Sequence, residues 1–465
     1  MRRLSILSIF CLLIAASSLM GQDYAAFFTD STMRVDYYHT GTDTSEIYSL
    51  DQVCLEGPWP GSKTRCIDVL GLGKYLAQVH DFETGQLLFS TSYNTVFGEW
   101  QTTAEAIAGI PRTMHETVRF PFPKKPVKLV ISSRDRRNAF SERFTTVIDP
   151  HSRFIHREVK HLPFKVTQVL FNGDPAQKVD VLILGDGYTQ KESKLFLDDV
   201  ERYQKRLFSV SPFRERRQDF NVRAIQAVSP ESGIDDPRAG VWKNNLLGTT
   251  YNSLDLQRYV LTLENRAVRD IAALAPYDAI CIIFNAPGYG GGGIYNWYST
   301  CYAGKSKEIP EWWSLYVFVH EFGHSFAGLG DEYYSSDVAY NEFYPLGIEP
   351  VDPNLTALLD PENIKWKHMI QPGTPLPTPW GKALYDSLSQ SLRTAGADRK
   401  AILARMDSIR TAIPVSRVGA YEGAGYASNG LYRPAIDCIM FSKNIVPFCP
   451  VCEQAINRVI DTLVK

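Results

Sequence analysis

The stretch "VFVHEFGHSFAGLGDEYY", Val317 to Tyr334, places two histidines four residues apart with a glutamate directly after the first. Around it, Trp312, Leu315, Tyr316, Val319, Phe322 and Phe326 recur at intervals of three and four. That spacing predicts a helix with a buried stripe. His320 and His324 then lie one turn apart on a shared face. Two neutral imidazoles so placed can meet one zinc ion, which in a reactive site takes three protein ligands and a water. Glu321 falls about 100° round the helix from His320. From there a carboxylate can sit beside the metal's water and handle its proton. If the helix were only core, that glutamate would be buried without a role, at a cost of several kcal/mol unless paired.

The third ligand is expected just downstream. Gly328 suits a left-handed helix end, and Leu329-Gly330 can turn the chain back under the metal. Asp331 or Glu332 would arrive there. Asp331 is preferred because it comes first after the turn, which leaves Glu332 to orient a histidine from behind. Gly323 costs the helix about 1 kcal/mol in propensity, which implies close approach of another segment beneath the site. "DCIMFS" is a candidate for that segment, with Met440 under the metal as in a Met-turn. The metzincin pattern is H-E-x-x-H-x-x-G-x-x-H followed by such a turn. This chain departs from it by one extra residue before the glycine and by an acid in place of the third histidine.

"HEFGHSFAGLGDEYY" resembles the signature of the bacterial IgA-peptidase family of secreted zinc metallopeptidases. "LILGDGYT", "FNAPGYGGGGIYN", "YRPAIDCIM" and "FCPVC" resemble that family's catalytic domain. "GQLLFSTSYNTVFGEWQTTAEA" and "ETVRFPFP" resemble the β-sandwich that precedes it in many members. The likeness covers nearly all of the chain after its leader. It implies Zn²⁺ held by His320, His324 and Asp331, with Glu321 catalytic. It does not imply that IgA is the substrate.

Further residues are weighed beside these. Gly291, Gly292 and Gly293 follow an expected buried strand. No Lys-Ser/Thr follows them, so a phosphate cradle is not favoured. An edge whose bare backbone admits a substrate strand is the preferred reading. Tyr432, eight residues before Met440, is a candidate oxyanion donor. Tyr333 and Tyr334 are weaker candidates, and His368 is a remote one. Cys449 and Cys452 in "CPVC" read first as a structural disulfide under the active site. Half of a structural zinc site is the other reading, with Cys438 as the one further cysteine nearby in sequence.

The rest of the chain supplies the setting. Its 465 residues allow two or three domains. A net charge of −2 points to neither nucleic acid nor an acidic membrane surface. "MRR" followed by "LSILSIFCLLIAAS" reads as a signal peptide over residues 1–21, which implies a secreted, periplasmic or cell-surface protein. Beyond it no apolar run approaches the length of a transmembrane helix. Of eight cysteines, Cys11 lies in that leader. The remaining odd number leaves at least one unpaired, with Cys54–Cys66 and Cys438 with Cys449 or Cys452 as plausible disulfides.

Residues 22–162 read as short alternating strands, with a hairpin around Glu83-Thr84-Gly85, and predict an antiparallel β-sandwich. Residues 163–465 alternate apolar strands with helical periods. They predict a zincin-like, metzincin-type α/β catalytic domain with a mixed sheet, an active-site helix and a Met-turn. The function expected is a zinc endopeptidase acting on protein or peptide substrates. A surface binding protein with a structural zinc site, or a zinc amidase acting on cell-wall peptide, is the alternative. Composition does not fix the oligomeric state.

Overall fold

The computed structural model describes residues 23–464 except 159–160, 305, 307–308, 335–342, 393, 395 and 397. The leader expected over residues 1–21 lies outside the described residues. No helix among the described residues is long and apolar enough to cross a membrane.

The first half is built from strands β1 (Phe28–Gly41), β2 (Glu46–Pro58), β3 (Tyr75–Asp81), β4 (Leu87–Tyr93), β5 (Arg112–Pro123), β6 (Val127–Arg134), β7 (Phe140–Ile148) and β8 (Ile155–His156). They form two four-stranded sheets, ordered β5-β1-β2-β8 and β4-β3-β6-β7. In β3, Tyr75, Ala77, Val79 and Asp81 are buried and the residues between them are not, the period of two expected of a half-buried strand. The β3–β4 turn is closed by the Asp81 side chain, which accepts from the Thr84 amide at 2.8 Å, while Gly85 takes φ +72°. The pairing departs from a purely antiparallel sandwich at one place: β8 joins β2 in parallel through two residues.

The second half carries β9 (Val166–Leu170), β10 (Val179–Asp186), β11 (Phe220–Gln226), β12 (Ala279–Phe284), β13 (Gly291–Ile294) and β14 (Tyr298–Tyr302). They form one mixed sheet, ordered β13-β14-β12-β10-β11-β9. β10, β11, β12 and β14 run parallel, and the outer strands β13 and β9 run antiparallel to their neighbours. β15 (Tyr421–Ala424) and β16 (Ala427–Arg433) make a separate hairpin. The molecule is thus a multidomain α+β protein with a sheet-rich N-terminal region.

Strand alternation decides how the halves meet. Val179, Val181 and Ile183 of β10 face a core shared with helices Ser193–Leu207, Glu311–Ala327 and Pro450–Leu463. Leu182 and Leu184, on the opposite face, join a different core. That core also holds Val35, Tyr37, Val79 and Leu129 of the sandwich, together with Val268 and Ile271 of helix Asn265–Ala272. The two halves therefore share one apolar core, in which helix Asn265–Ala272 packs against β5 of the sandwich. Arg34, 2 % exposed, reinforces the contact by donating to Asp270 at 2.7 Å.

The quoted stretch is helical from Glu311 to Ala327. Tyr316, Val319, Phe322 and Phe326 are buried as the stripe requires, whereas Trp312 in the first turn is exposed. The helix ends at Gly328, whose φ is +60°. Its N–H donates to the His324 carbonyl at 3.0 Å and that of Leu329 to the Gly323 carbonyl at 3.3 Å, which satisfies carbonyls the helix would otherwise leave open.

Candidate metal centre

The helix and the turn after it bring three side chains together. His320 Nε2 lies 3.1 Å from Asp331 Oδ1, His324 Nε2 lies 3.2 Å from the same oxygen, and the two Nε2 atoms are 3.1 Å apart. The other ring nitrogens are already engaged. His320 Nδ1 is 3.0 Å from the Ile439 carbonyl, and His324 Nδ1 is 2.5 Å from the Leu329 carbonyl. A carbonyl accepts only, so each Nδ1 is the donor of its ring and, when the ring is neutral, each Nε2 presents a lone pair. Two lone pairs and a carboxylate oxygen therefore converge on one point. Asp331 Oδ1 is buried and makes no hydrogen bond there. Such a set is costly unless a metal ion or a shared proton sits among the three atoms.

The spacing fits a metal ion. Ligand bonds of about 2.0–2.1 Å in tetrahedral array put donor atoms about 3.3 Å apart. The residues present therefore fit a zinc-type ion with two nitrogens and one oxygen. As protein groups alone they compete for a proton. Burial opposes charge on both partners, yet Asp331 raises His324 to about 10, and the imidazoles hold the Asp331 carboxyl well below the usual carboxylate range.

Supporting groups fix these donors. Tyr316 donates to the Ile439 carbonyl at 2.9 Å and lies 3.1 Å from His320 Nδ1. Tyr426 donates to Asp331 Oδ2 at 2.6 Å. Gly323 is where the floor comes close: a Cβ there would stand 3.1 Å from Met440 Sδ and 3.3 Å from both Leu329 and Phe448. Met440 is fully buried, and its carbonyl accepts from the Glu332 amide at 2.9 Å.

Glu321 lines the same cavity as the triad and keeps part of its surface open to it. Burial nevertheless pushes its carboxyl above the ordinary value, with His320 and His324 pulling the other way. The cavity holds about 530 Å³ and runs between the two halves of the chain. Arg258, Tyr259 and Tyr333 line it on the side of the triad, and Lys74, Glu99 and Arg134 from the sandwich. Tyr259 donates to Glu99 across the gap.

The remaining expected residues fall as follows. Gly291 and Gly293 line the cavity, but their bare faces are used for packing. A Cβ on Gly291 would stand 2.8 Å from Val317, and one on Gly293 would stand 2.8 Å from His324 Cβ. Gly292 points the other way, toward Tyr259 and Leu261. The outer edge of β13 is also partly taken, because Gly291 exchanges hydrogen bonds with Arg258 and Val260. Tyr432 is not among the residues lining the cavity. The hairpin register sets it opposite Glu422, and its backbone bridges to Thr356. The hydroxyl that this hairpin sends to the triad is that of Tyr426, at its tip. Tyr334 donates to Asp386 at 2.6 Å, and the exposed His368 pairs with Gln454. Arg258 and Tyr426 escaped the sequence reading. A Gly-Tyr turn between two short strands was the available signal for the second, and nothing local marks the first.

Glu332 does not touch the histidines. It is fully buried and accepts from Asn354 at 3.0 Å and from Cys452 at 3.2 Å. Cys438, Cys449 and Cys452 are free thiols, so the disulfide expected in "CPVC" is not formed. Cys66 is likewise a free thiol, and the Cys54–Cys66 pairing is not formed.

Comparison with known proteins places the chain in its class. The family model described as IgA Peptidase M64 matches residues 167–460, and that described as Peptidase M64 N-terminus matches residues 23–145. The chain is a peptidase of the metallo type. It belongs to the IgA peptidase M64 family. No curated protein matches it.

Proposed function

We propose that the chain is an exported zinc-dependent endopeptidase in which His320, His324 and Asp331 hold the ion and Glu321 is the general base. One observation carries the reading: three lone-pair donors within 3.2 Å of one another, on a cavity wall shared with a carboxylate that burial has made more basic. When bound, zinc would supply Lewis acidity toward a peptide carbonyl and lower the pKa of a water. Glu321 would take a proton from that water on its carboxylate and return it to the departing amine. Arg258, facing the same cavity, is the cation suited to the charge that develops on the carbonyl oxygen. The sandwich walls the cleft opposite the metal and would help to hold an extended substrate. The leader-like start of the sequence supports export.

Glu321→Gln tests the proposal against its rivals. The variant should keep its zinc and lose about 10²–10⁴ in peptide cleavage, the usual worth of a general base. Unchanged cleavage would remove Glu321 from the mechanism. A binding protein with a structural metal would show no cleavage in either form, and a cell-wall amidase would cleave muropeptides but not a mixed protein substrate.

A further inference from the structure

Behind the triad lies a second group of metal-ligating side chains. Donor atoms of Glu332, Cys438, Cys449 and Cys452 all lie within 4.8 Å of one another. All four residues are 0 % exposed. Cys438 Sγ and Cys452 Sγ are 3.8 Å apart, far beyond the roughly 2.05 Å of a disulfide. A tetrahedral ion with Zn–S bonds of about 2.3 Å sets its sulfurs about 3.8 Å apart. A separate observation points to a ligand: Glu332 Oε2 is buried with no hydrogen-bond partner, although Oε1 is satisfied. An idle carboxylate oxygen beside three buried sulfurs is expensive unless something positive completes it. The buried Arg433 supplies countercharge near by, and it donates to the Ile436 carbonyl, two residues before Cys438.

We propose that Glu332, Cys438, Cys449 and Cys452 form a second, structural metal site that takes zinc. Three thiolates and one carboxylate, all buried, make a closed set of four with no place left for a reacting water. Thiolates select zinc over magnesium or calcium. The site would tie together three segments that build the first centre. Glu332 follows the ligand Asp331. Cys438 precedes Ile439, whose carbonyl orients His320, and Met440, which floors the helix. Cys449 and Cys452 open the terminal helix Pro450–Leu463. An ion there would act as a pin beneath the active site, holding the histidines' supports in register.

Metal analysis of the full-length protein, loaded with zinc and desalted, tests this. Two zinc equivalents per chain are expected. His320→Ala/His324→Ala should retain one, and Cys449→Ser/Cys452→Ser should also retain one, with weaker binding at the histidine site. Should the cysteine variant fail to fold, cobalt loading of the unaltered protein still decides the matter. Thiolate ligation gives an intense near-ultraviolet charge-transfer band that a site of two imidazoles and a carboxylate cannot produce. One zinc per chain, lost with the histidines, together with no such band, would overturn the second site and leave the proposed peptidase centre standing. A disulfide joining any two of Cys438, Cys449 and Cys452 in peptide maps of never-reduced protein would also overturn it. Metal and cleavage both surviving loss of the histidines would instead sink the peptidase centre and leave this site intact.

Discussion

Tyr426 donates a hydrogen bond of 2.6 Å to Asp331 from a turn 95 residues further along the chain. Gly425 and Tyr426 link β15 to β16 with φ of +54° and +65°. That is the two-residue hairpin turn in which both positions lie in the left-handed region. Glycine or asparagine is usual at the second position, and a tyrosine there is strained. The surroundings hold it: Gly425 donates to the Asp331 carbonyl at 2.9 Å and Tyr426 to the Tyr333 carbonyl at 3.0 Å. Tyr426→Phe should keep the fold and lower zinc affinity by about 10–100-fold, as loss of a ligand's hydrogen-bond partner does. Tyr432→Phe, off the cavity wall, should change affinity and cleavage by less than about twofold. Zinc titration against a competing chelator, together with cleavage rates, checks both.

Proton balance at the triad gives a second test. Asp331 raises His324 to about 10, so the metal-free protein carries a proton on that imidazole at pH 7. Zinc requires the neutral ring. Binding should therefore release about one proton per ion at pH 7. The sign follows: affinity rises with pH up to about 10 and levels off above. Titration calorimetry in buffers of different ionisation heat measures the release. No release at pH 7 would mean that the pair is not held as described.

Local pattern carried much of this into the sequence. Helix period, the i,i+4 histidines and Gly328 define an element and its end from neighbours alone, so the helix and its cap were legible. Gly323 was legible as a close approach, because a helix interior tolerates glycine only for a reason. Tyr426 and Arg258 were not, since their roles depend on how distant segments dock. The glycines at 291–293 were read as open edge, whereas helix Glu311–Ala327 occupies the space beside Gly291 and Gly293, and Tyr259 and Leu261 that beside Gly292. Glu332 was read toward the histidines because it is next to Asp331. Side chains of adjacent residues diverge, and it turned to the cysteines instead.

The shared core predicts that residues 163–465 do not make a well-behaved fragment. Leu182, Leu184, Ile225, Ile280 and Ile282 lie in the core shared with the sandwich and are at most 2 % exposed in the whole chain. Each of these that loses its cover with the sandwich costs up to about 1.5–3 kcal/mol. Together that is comparable to the roughly 5–15 kcal/mol by which a domain is stable. The fragment should aggregate or bind hydrophobic dye, as size-exclusion chromatography and dye fluorescence would report. A monodisperse, fully active fragment would show that the sandwich is dispensable to the fold.

Two glycines beside the triad should respond unequally to alanine. A Cβ on Gly293 would collide with the Glu321 carbonyl oxygen and stand 2.8 Å from His324 Cβ. Both belong to the helix, which is packed on three sides and cannot retreat without moving the histidine. Gly293→Ala should lose at least about 1–3 kcal/mol of stability and weaken zinc binding with it. On Gly323 the nearest atom is Met440 Sδ at 3.1 Å, the flexible end of an unbranched side chain. Gly323→Ala gains about 1 kcal/mol in helix propensity against that mild crowding. Its net effect should stay within about 1 kcal/mol of zero. Denaturant unfolding of the zinc-loaded variants reads both, and equal losses would mean that the helix rests on Met440 as rigidly as on β13.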